Sequence, residues 1–390
     1  MRPLVSPGAI SSCTQGGRRT ESAGAALGNP EPMEMHGVVL DDRYETVEGR
    51  LERDRDTVIG LWRGQIGWQD QLERMYDVFY LGCPFGRPQL QLLRHRASGE
   101  IVGTIGVGPR PMLWQGRELR AGVISHFTVL PKHRSLKPAL GLARTMAASS
   151  LDRFEFAYGL TNAQGGAVCR RAGFSVPARL SRHVKVLRYR GYVPRVLPGP
   201  LGRAGGALLD SAVAAGRKLR APGRRSGLHV AWTDTVDPRM PALWEQSEHG
   251  NGLSTMRTAA MLEWRFLHLP AVRRRFLLVA PAPGAPLLAW FACETNVRAP
   301  GFMTVTDAWF AGGVREADRR AIRELCRMGY EGGYEAIEVR LAVAASVLGA
   351  WRGEGFAARG EQPLFIAGMD PRRAGDIGAG MYLTDIEQDG

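Results

Sequence analysis

Cysteine is scarce in this chain. Cys13, Cys83, Cys169, Cys293 and Cys326 are scattered over 390 residues with no CxxC pair. That excludes a disulfide framework and a zinc knuckle, and a reduced, cytoplasmic setting is expected. Lysine is scarcer still, four of 51 basic residues, beside 49 glycines. This skew reflects coding bias rather than a nucleic-acid surface, so a nucleic-acid partner is not expected. No apolar run approaches the roughly 18 residues of a membrane span. The most apolar region, 276–293, is cut by Pro281, Pro283, Gly284 and Pro286. The eight histidines lack HxxxH or HxH spacing, so no metal site is expected. Nucleophile-elbow, phosphate-loop and dinucleotide glycine motifs are absent too.

What is present is ordinary globular material, 44% hydrophobic and 23% charged, which excludes a mainly disordered chain. The length corresponds to about two to three domains. Residues 1–37 are rich in Gly, Ser, Ala and Pro and lack the apolar core of a signal peptide. They are expected to be disordered, with Met33 or Met35 as alternative starts. The net charge of +13 is uneven: residues 188–226 hold nine basic residues and one acid, Asp210. Such a stretch is either a solvated linker or a surface for acidic lipid or a phosphate-rich ligand.

Hydrophobic periodicity predicts a first unit over 38–190. A strand at 47–51 is followed by helices at 54–66 and 68–80, a hairpin over 89–94 and 101–107, and a strand at 120–130 ended by Pro131. A helix at 136–151, a strand at 154–160, a helix at 163–172 closed by Gly173 and a strand at 179–189 complete it. The linker 191–226 includes a helix at 204–219, read as an interdomain brace or as a membrane-surface helix. A second unit, 227–390, repeats this order of elements. Arg170-Arg171-Ala172-Gly173-Phe174 parallels Arg352-Gly353-Glu354-Gly355-Phe356, the mark of an internal repeat. Trp62, Trp244 and Trp264 fall at helical positions and are expected in the core.

The most informative stretch is 123–174. The strand Phe127-Thr128-Val129-Leu130-Pro131 leads into Lys132-His133-Arg134-Ser135-Leu136-Lys137-Pro138-Ala139-Leu140; Asn162 and Arg171-Ala172-Gly173-Phe174 follow a second strand. This order resembles the GNAT superfamily of acyl-CoA transferases. The tail Met381-Tyr382-Leu383-Thr384-Asp385-Ile386-Glu387-Gln388-Asp389 is similar to the ends of GNAT-like proteins of exopolysaccharide clusters. The resemblance implies an α/β fold of two tandem GNAT-like mixed-sheet units flanked by helices, with acetyl-CoA or another acyl-CoA as co-substrate.

Independently of any family, a strand, a tight loop and a helix N-terminus present backbone N–H groups and a positive dipole end, a geometry that binds a pyrophosphate. Arg134 and Lys137 add charge there. Relative to the superfamily loop, Arg134 and Ala139 match the first and last positions, Lys137 replaces the central glycine, and Pro138 removes one donor. The resemblance assigns Phe127, Val129, Arg134, Ser135, Leu136, Lys137, Ala139, Leu140 and Asn162 to the co-substrate. It places His126 where a carboxylate base is usual and Cys169 where a tyrosine proton donor is usual. The alternatives are an inward-facing strand histidine, a small buried thiol and a turn-capping asparagine. The second unit lacks the loop, so no coenzyme A is expected there; Asp307 is either an acceptor contact or structural.

Three functions follow. The first is transfer of an acetyl or longer acyl group from coenzyme A to an amine or hydroxyl of a small sugar or amino compound. The second is a FemAB-like aminoacyl transfer, with the basic linker on tRNA. The third is a non-catalytic GNAT-like binding or scaffold protein of polysaccharide assembly, which the departures at Lys137, Pro138 and Cys169 favour.

Overall fold

Alternating apolar residues and tight turns build the first half as an antiparallel meander. The structure, a computed structural model, describes residues 41–388 except 68, 191–198, 200–203, 212–226, 269–273, 296–298 and 379. The expected disordered segment 1–37 and most of the basic linker lie outside these residues. The meander comprises β1 (Tyr44–Glu48), β2 (Gln89–His95), β3 (Ile101–Trp114) and β4 (Arg117–Val129). Gln115 and Gly116, at φ 53° and 72°, supply the two left-handed residues that a two-residue hairpin needs. β3 continues well past its expected end at Val107. Pro109 and Pro111 are accommodated because β2 stops pairing with β3 at Val107, leaving an edge-like flank where proline is tolerated.

The expected helix over 68–80 is broken. α1 (Arg55–Trp62) is followed by a short 3-10 turn, α2 (Leu72–Tyr76) and a π-helical turn, Asp77–Leu81. Val58, Ile59, Leu61 and Trp62 of α1, Leu72, Met75 and Tyr76 of α2, and Val78, Phe79 and Tyr80 of the π-helical turn are buried. α3 (Leu136–Ser150), β5 (Phe156–Leu160), α4 (Ala163–Arg171) and β6 (Ser175–Val186) complete this half.

The second half follows a similar order with β8 and α9 added: β7 (His229–Thr233), α5 (Arg239–Gln246), β8 (Ser254–Thr255), α6 (Ala259–Leu267), β9 (Arg274–Ala280), β10 (Ala289–Thr295), β11 (Phe302–Phe310), α7 (Arg319–Glu331), β12 (Ala336–Leu341), α8 (Ala345–Gly353), β13 (Ala357–Ala367) and α9 (Pro371–Gly378). Trp62, Trp244 and Trp264 are buried as expected.

One mixed sheet runs through the molecule in the order β1-β2-β3-β4-β5-β13-β6-β12-β11-β10-β9-β7, with β8 pairing β3 to one side. Two neighbouring pairs are parallel, β4 with β5 and β11 with β12. The fold class is the expected one, with an addition that periodicity did not show: the closing strands are exchanged. β13, from the second half, pairs with β5 of the first; β6 pairs with β12 of the second; and β6 and β13 pair with each other at the centre.

Residues 204–211 of the expected linker helix are helical. The Asp210 carboxylate accepts the backbone N–H groups of Tyr189 at 2.6 Å and Arg190 at 3.1 Å. That pins one face to the protein while Leu208 and Leu209 are exposed. Residues 212–219 lie outside the described ones.

Candidate functional site

β4 and β5 pair from Ala121 opposite Phe156 to Val123 opposite Tyr158, and no further. β4 nevertheless runs on to Val129 and β5 to Leu160, so the strands part into a V. Just past the parting, between Ser125 and Thr128, β4 carries one residue more than β3. Such a bulge withdraws a backbone group from the ladder. His126 lies in it at φ 54°. A left-handed backbone at a residue other than glycine costs roughly 1–3 kcal/mol and persists only where the surroundings over-determine it. Here they do: the imidazole packs at centroid distances of 4.6 Å on Trp62, 5.7 Å on Tyr80 and 5.8 Å on Phe79. The Tyr80 hydroxyl is hydrogen-bonded to His126 Nδ1 at 3.0 Å.

At the open end, a 3-10 turn over Pro131–His133 leads to Ser135, the N-cap of α3, whose side chain makes no cap hydrogen bond. The first-turn amides of Leu136 and Lys137 have no partner within the helix, and Pro138 contributes none. Arg134 folds back across the opening. Its guanidinium donates to the Val129 carbonyl from Nε at 3.2 Å and from NH2 at 3.0 Å, and to Gln65 Oε1 at 2.6 Å.

The V opens into a cleft of about 1300 Å³. Of the expected site residues, His126, Phe127, Val129, Arg134, Ser135, Leu136, Ala139, Asn162 and Cys169 line it. Two do not. Lys137 is exposed, and Leu140 is buried in the core against Ala143, Ala147 and Phe174. The Asn162 side-chain Oδ1 is taken up as the N-cap of α4, accepting the Gly165 N–H at 2.9 Å.

Environment decides what the two expected catalytic groups do. Burial, reinforced by the Arg110 guanidinium, pushes the His126 imidazole down to about 3. The ring is therefore neutral at physiological pH and has little appetite for a proton. Although the residue keeps partial exposure, its Nε2 is buried with no partner among the described residues. Burial pushes the Cys169 thiol up to about 11. It holds its proton more tightly than an ordinary thiol, near 8.5, and is a poor donor to a leaving thiolate.

Sequence reasoning missed the opposite wall, which comes from scattered strands of the second half. Arg274 on β9 pairs with Glu294 on β10. Glu338 on β12 accepts from Arg182 and from Thr304 on β11. Arg340 on β12 donates to Asp385 Oδ2 at 2.8 Å, and Gln388 donates to Asp385 Oδ1 at 2.7 Å. The one signal was Glu338 and Arg340 at alternate positions of an otherwise apolar strand, Ala336-Ile337-Glu338-Val339-Arg340-Leu341. The cleft thus has an apolar wall, with Met75, Phe79, Ile105, Ile124 and Val168, facing a polar one.

A second V exists. β11 and β12 pair from Phe302 opposite Ala336 to Val305 opposite Val339 and then part, and β11 too carries one extra residue just beyond, between Val305 and Asp307. The C-terminal tail fills this opening. Leu383 and Ala342 exchange backbone hydrogen bonds at 2.9 and 3.0 Å. The Tyr382 hydroxyl donates to the Ala308 carbonyl at 2.7 Å, and the Thr384 hydroxyl to Asp307 at 2.8 Å. Asp307 is structural: it receives two bonds of 2.9 Å from Arg257, and both side chains are fully buried.

Solved structures share this architecture. A GCN5-related N-acetyltransferase from Anabaena variabilis aligns over 83% of this chain and 72% of its own, at 10% identity and a TM-score of 0.55. A probable N-acyltransferase from Enterococcus faecalis aligns over the same shares, at 9% identity and a TM-score of 0.56. The N-myristoyltransferase of Saccharomyces cerevisiae, with bound myristoyl-CoA, aligns over 90% of this chain and 85% of its own, at 12% identity and a TM-score of 0.52. At such identities the likeness is one of fold. No family model and no curated protein sequence matches the chain.

Proposed function

We propose that the protein is an acyltransferase that moves an acetyl or longer acyl group from coenzyme A to an amine or hydroxyl of a small sugar or amino compound. The observation that carries this reading is the parting of β4 and β5 beyond Val123 and Tyr158, with an uncapped helix N-terminus at its mouth and a two-walled cleft behind it. Acyl-CoA is the co-substrate. The residues present fit it in kind: edge amides of β4 for an extended amide-bearing arm, the first-turn amides of α3 for a diphosphate, and apolar side chains for an acyl group.

Each wall has its part in the chemistry. The bulge at His126 and Phe127 offers a backbone N–H for the charge that develops on a thioester oxygen, a fixed dipole that needs no reorganisation during reaction. The buried neutral His126 holds that bulge in shape with Tyr80. The polar wall orients an acceptor rich in hydrogen-bonding groups through Thr304, Glu338, Arg340 and Gln388.

Calorimetry and thermal shift with acetyl-CoA test the reading. A ligand at a hundred times its Kd stabilises the folded chain by about 2.7 kcal/mol. Arg134→Glu, which puts a negative charge at the mouth, is expected to abolish the shift. No heat and no shift with the native chain would end the reading. One observation favours the non-catalytic alternative. The Arg134 guanidinium is already engaged by the Val129 carbonyl and Gln65, so coenzyme A would have to displace it.

A further inference from the structure

An amine or hydroxyl compound is a broad class of acceptor, and the polar wall narrows it. Four guanidiniums meet three carboxylates there. Arg182 pairs with Glu338, Arg274 with Glu294 and Arg340 with Asp385. Arg265 makes no ion pair among the described residues; it donates to the backbone carbonyls of Asp385, Ile386 and Gln388. A guanidinium keeps its proton at neutral pH, so the wall carries one positive charge more than its carboxylates balance. Elsewhere around the cleft Arg134 and Asp70 offset each other.

Accessibility decides which of these charges a ligand meets. The side chains of Glu338, Glu294 and Asp385 are only 6%, 15% and 9% exposed, against 33% for Arg340. The Arg340 guanidinium is held at one corner, by a bond of 2.8 Å from Nη1 to Asp385 Oδ2, and its Nε and Nη2 make no hydrogen bond among the described residues. Those two N–H groups form the edge that takes a carboxylate through two parallel bonds. In Arg182 the same edge is spent, Nε and Nη2 both donating to Glu338 Oε2 at 2.9 and 2.5 Å. The tether of Arg340 is firm. Asp385 lies in the tail that fills the second V, where Thr384 forms a reciprocal capping box with Glu387 and bonds to Asp307. Gln388 holds the other Asp385 oxygen at 2.7 Å, and Tyr382 and Ile386 are fully buried. The fold, rather than the ligand, thereby meets the cost of ordering this guanidinium.

We propose that the acceptor is an amino carboxylate, its carboxylate held on the free Nε–Nη2 edge of Arg340 while its amine is turned toward the parted strands. This rests on the acyl-transfer reading above. A carboxylate suits both the planar edge and the single excess charge of the wall. A phosphate dianion would bring more negative charge than the wall has cations to meet. A neutral amine would leave the edge of Arg340 to water and gain nothing from it, so the arginine separates acceptors by charge as well as by shape.

The test uses the full chain and acetyl-CoA, with free thiol as readout and acetyl-CoA affinity measured separately by calorimetry. The acceptors are glycine, 4-aminobutanoate and 6-aminohexanoate, each beside its primary amide, together with O-phosphoethanolamine. For the length that fits, the KM of the amino carboxylate is expected to lie about tenfold or more below that of its amide, the scale of charge-assisted hydrogen bonds. Arg340→Lys keeps a cation beside Asp385 and removes the fork. It should raise the KM of the amino carboxylate toward that of the amide with a smaller change in kcat, and its acetyl-CoA affinity reports that it is folded. Discrimination within about threefold at every length, a preference for phosphoethanolamine, native discrimination in Arg340→Lys, or acetyl-CoA binding without thiol release to any of these amines overturns the proposal. Failure of the native chain to bind acetyl-CoA overturns the acyl-transfer reading itself.

Discussion

Tyr80 reaches His126 through space that a side chain at Gly106 would fill: a Cβ there would lie 1.9 Å from the tyrosine hydroxyl oxygen. The glycine in β3, the π-helical turn bearing Tyr80 and the bulge bearing His126 therefore act as one assembly. Gly106→Ala is expected to push Tyr80 out and destabilise the chain by about 1–3 kcal/mol, the range for overpacking. Tyr80→Phe removes only the hydrogen bond and should cost about 1 kcal/mol. Chemical denaturation of the two variants measures both, and equal costs would contradict the assembly.

The Arg257–Asp307 pair anchors the C-terminal tail through the Thr384 hydroxyl. Removing one partner from a buried pair strands the other charge at about 3–5 kcal/mol. Asp307→Ala should show that loss in denaturant unfolding and expose the tail beyond Leu383 to protease. Replacing both, Arg257→Met with Asp307→Leu, should recover most of the stability. It should leave the tail looser than in the native chain, because Thr384 loses its acceptor.

Glu387 gives the fold a pH dependence. Burial raises its carboxyl from the ordinary 4.5 to about 7, against the pull of Arg257. Between those values the folded chain binds the proton more tightly than the unfolded one. This group's contribution to stability therefore falls as pH climbs through 4.5 to 7 and is level above. A shift of that size corresponds to a few kcal/mol, on the order of 3. Glu387→Gln keeps an acceptor for the capping box and does not titrate. Its melting temperature should match the native value near pH 4.5 and exceed it by several degrees at pH 8. A parallel pair of stability curves would refute the assignment.

Cys169 gives a negative prediction. Because its thiol is firmly protonated, Cys169→Ala should leave thiol release within about threefold of the native rate while costing roughly 1 kcal/mol of packing. A loss of two orders of magnitude in rate at unchanged folding would return Cys169 to the role of proton donor.

The contrast between the two walls explains how much was legible in the sequence. The segment from His126 to Ala139 is contiguous, and its chemistry follows from a strand, a proline-started turn and a helix N-terminus, all local signals. Arg274, Glu294, Thr304, Glu338 and Asp385 meet only because β9, β10, β11, β12 and the tail converge, and no window of sequence holds that information. The exchange of β6 and β13 was hidden for a related reason. Period-two patterning tells which face of a strand is buried and says nothing about which neighbour it takes. Asp318 marks a similar limit. α7 begins at Arg319 because the Asp318 side chain caps it, accepting the Arg320 N–H, while Gly312 and Gly313 before it lie in a turn.

The crossing of β6 and β13 makes the molecule a clasp. Each half gives its last strand to the other, so cutting the chain between them would leave two fragments, each with a gap in its own sheet and an unpaired ribbon. Co-expressed fragments should find each other and close; expressed singly, either one should aggregate through its unpaired edge. The two halves are thereby bound to a common fate, and a change that reshapes the cleft from one side is felt by the other through the strands they have traded.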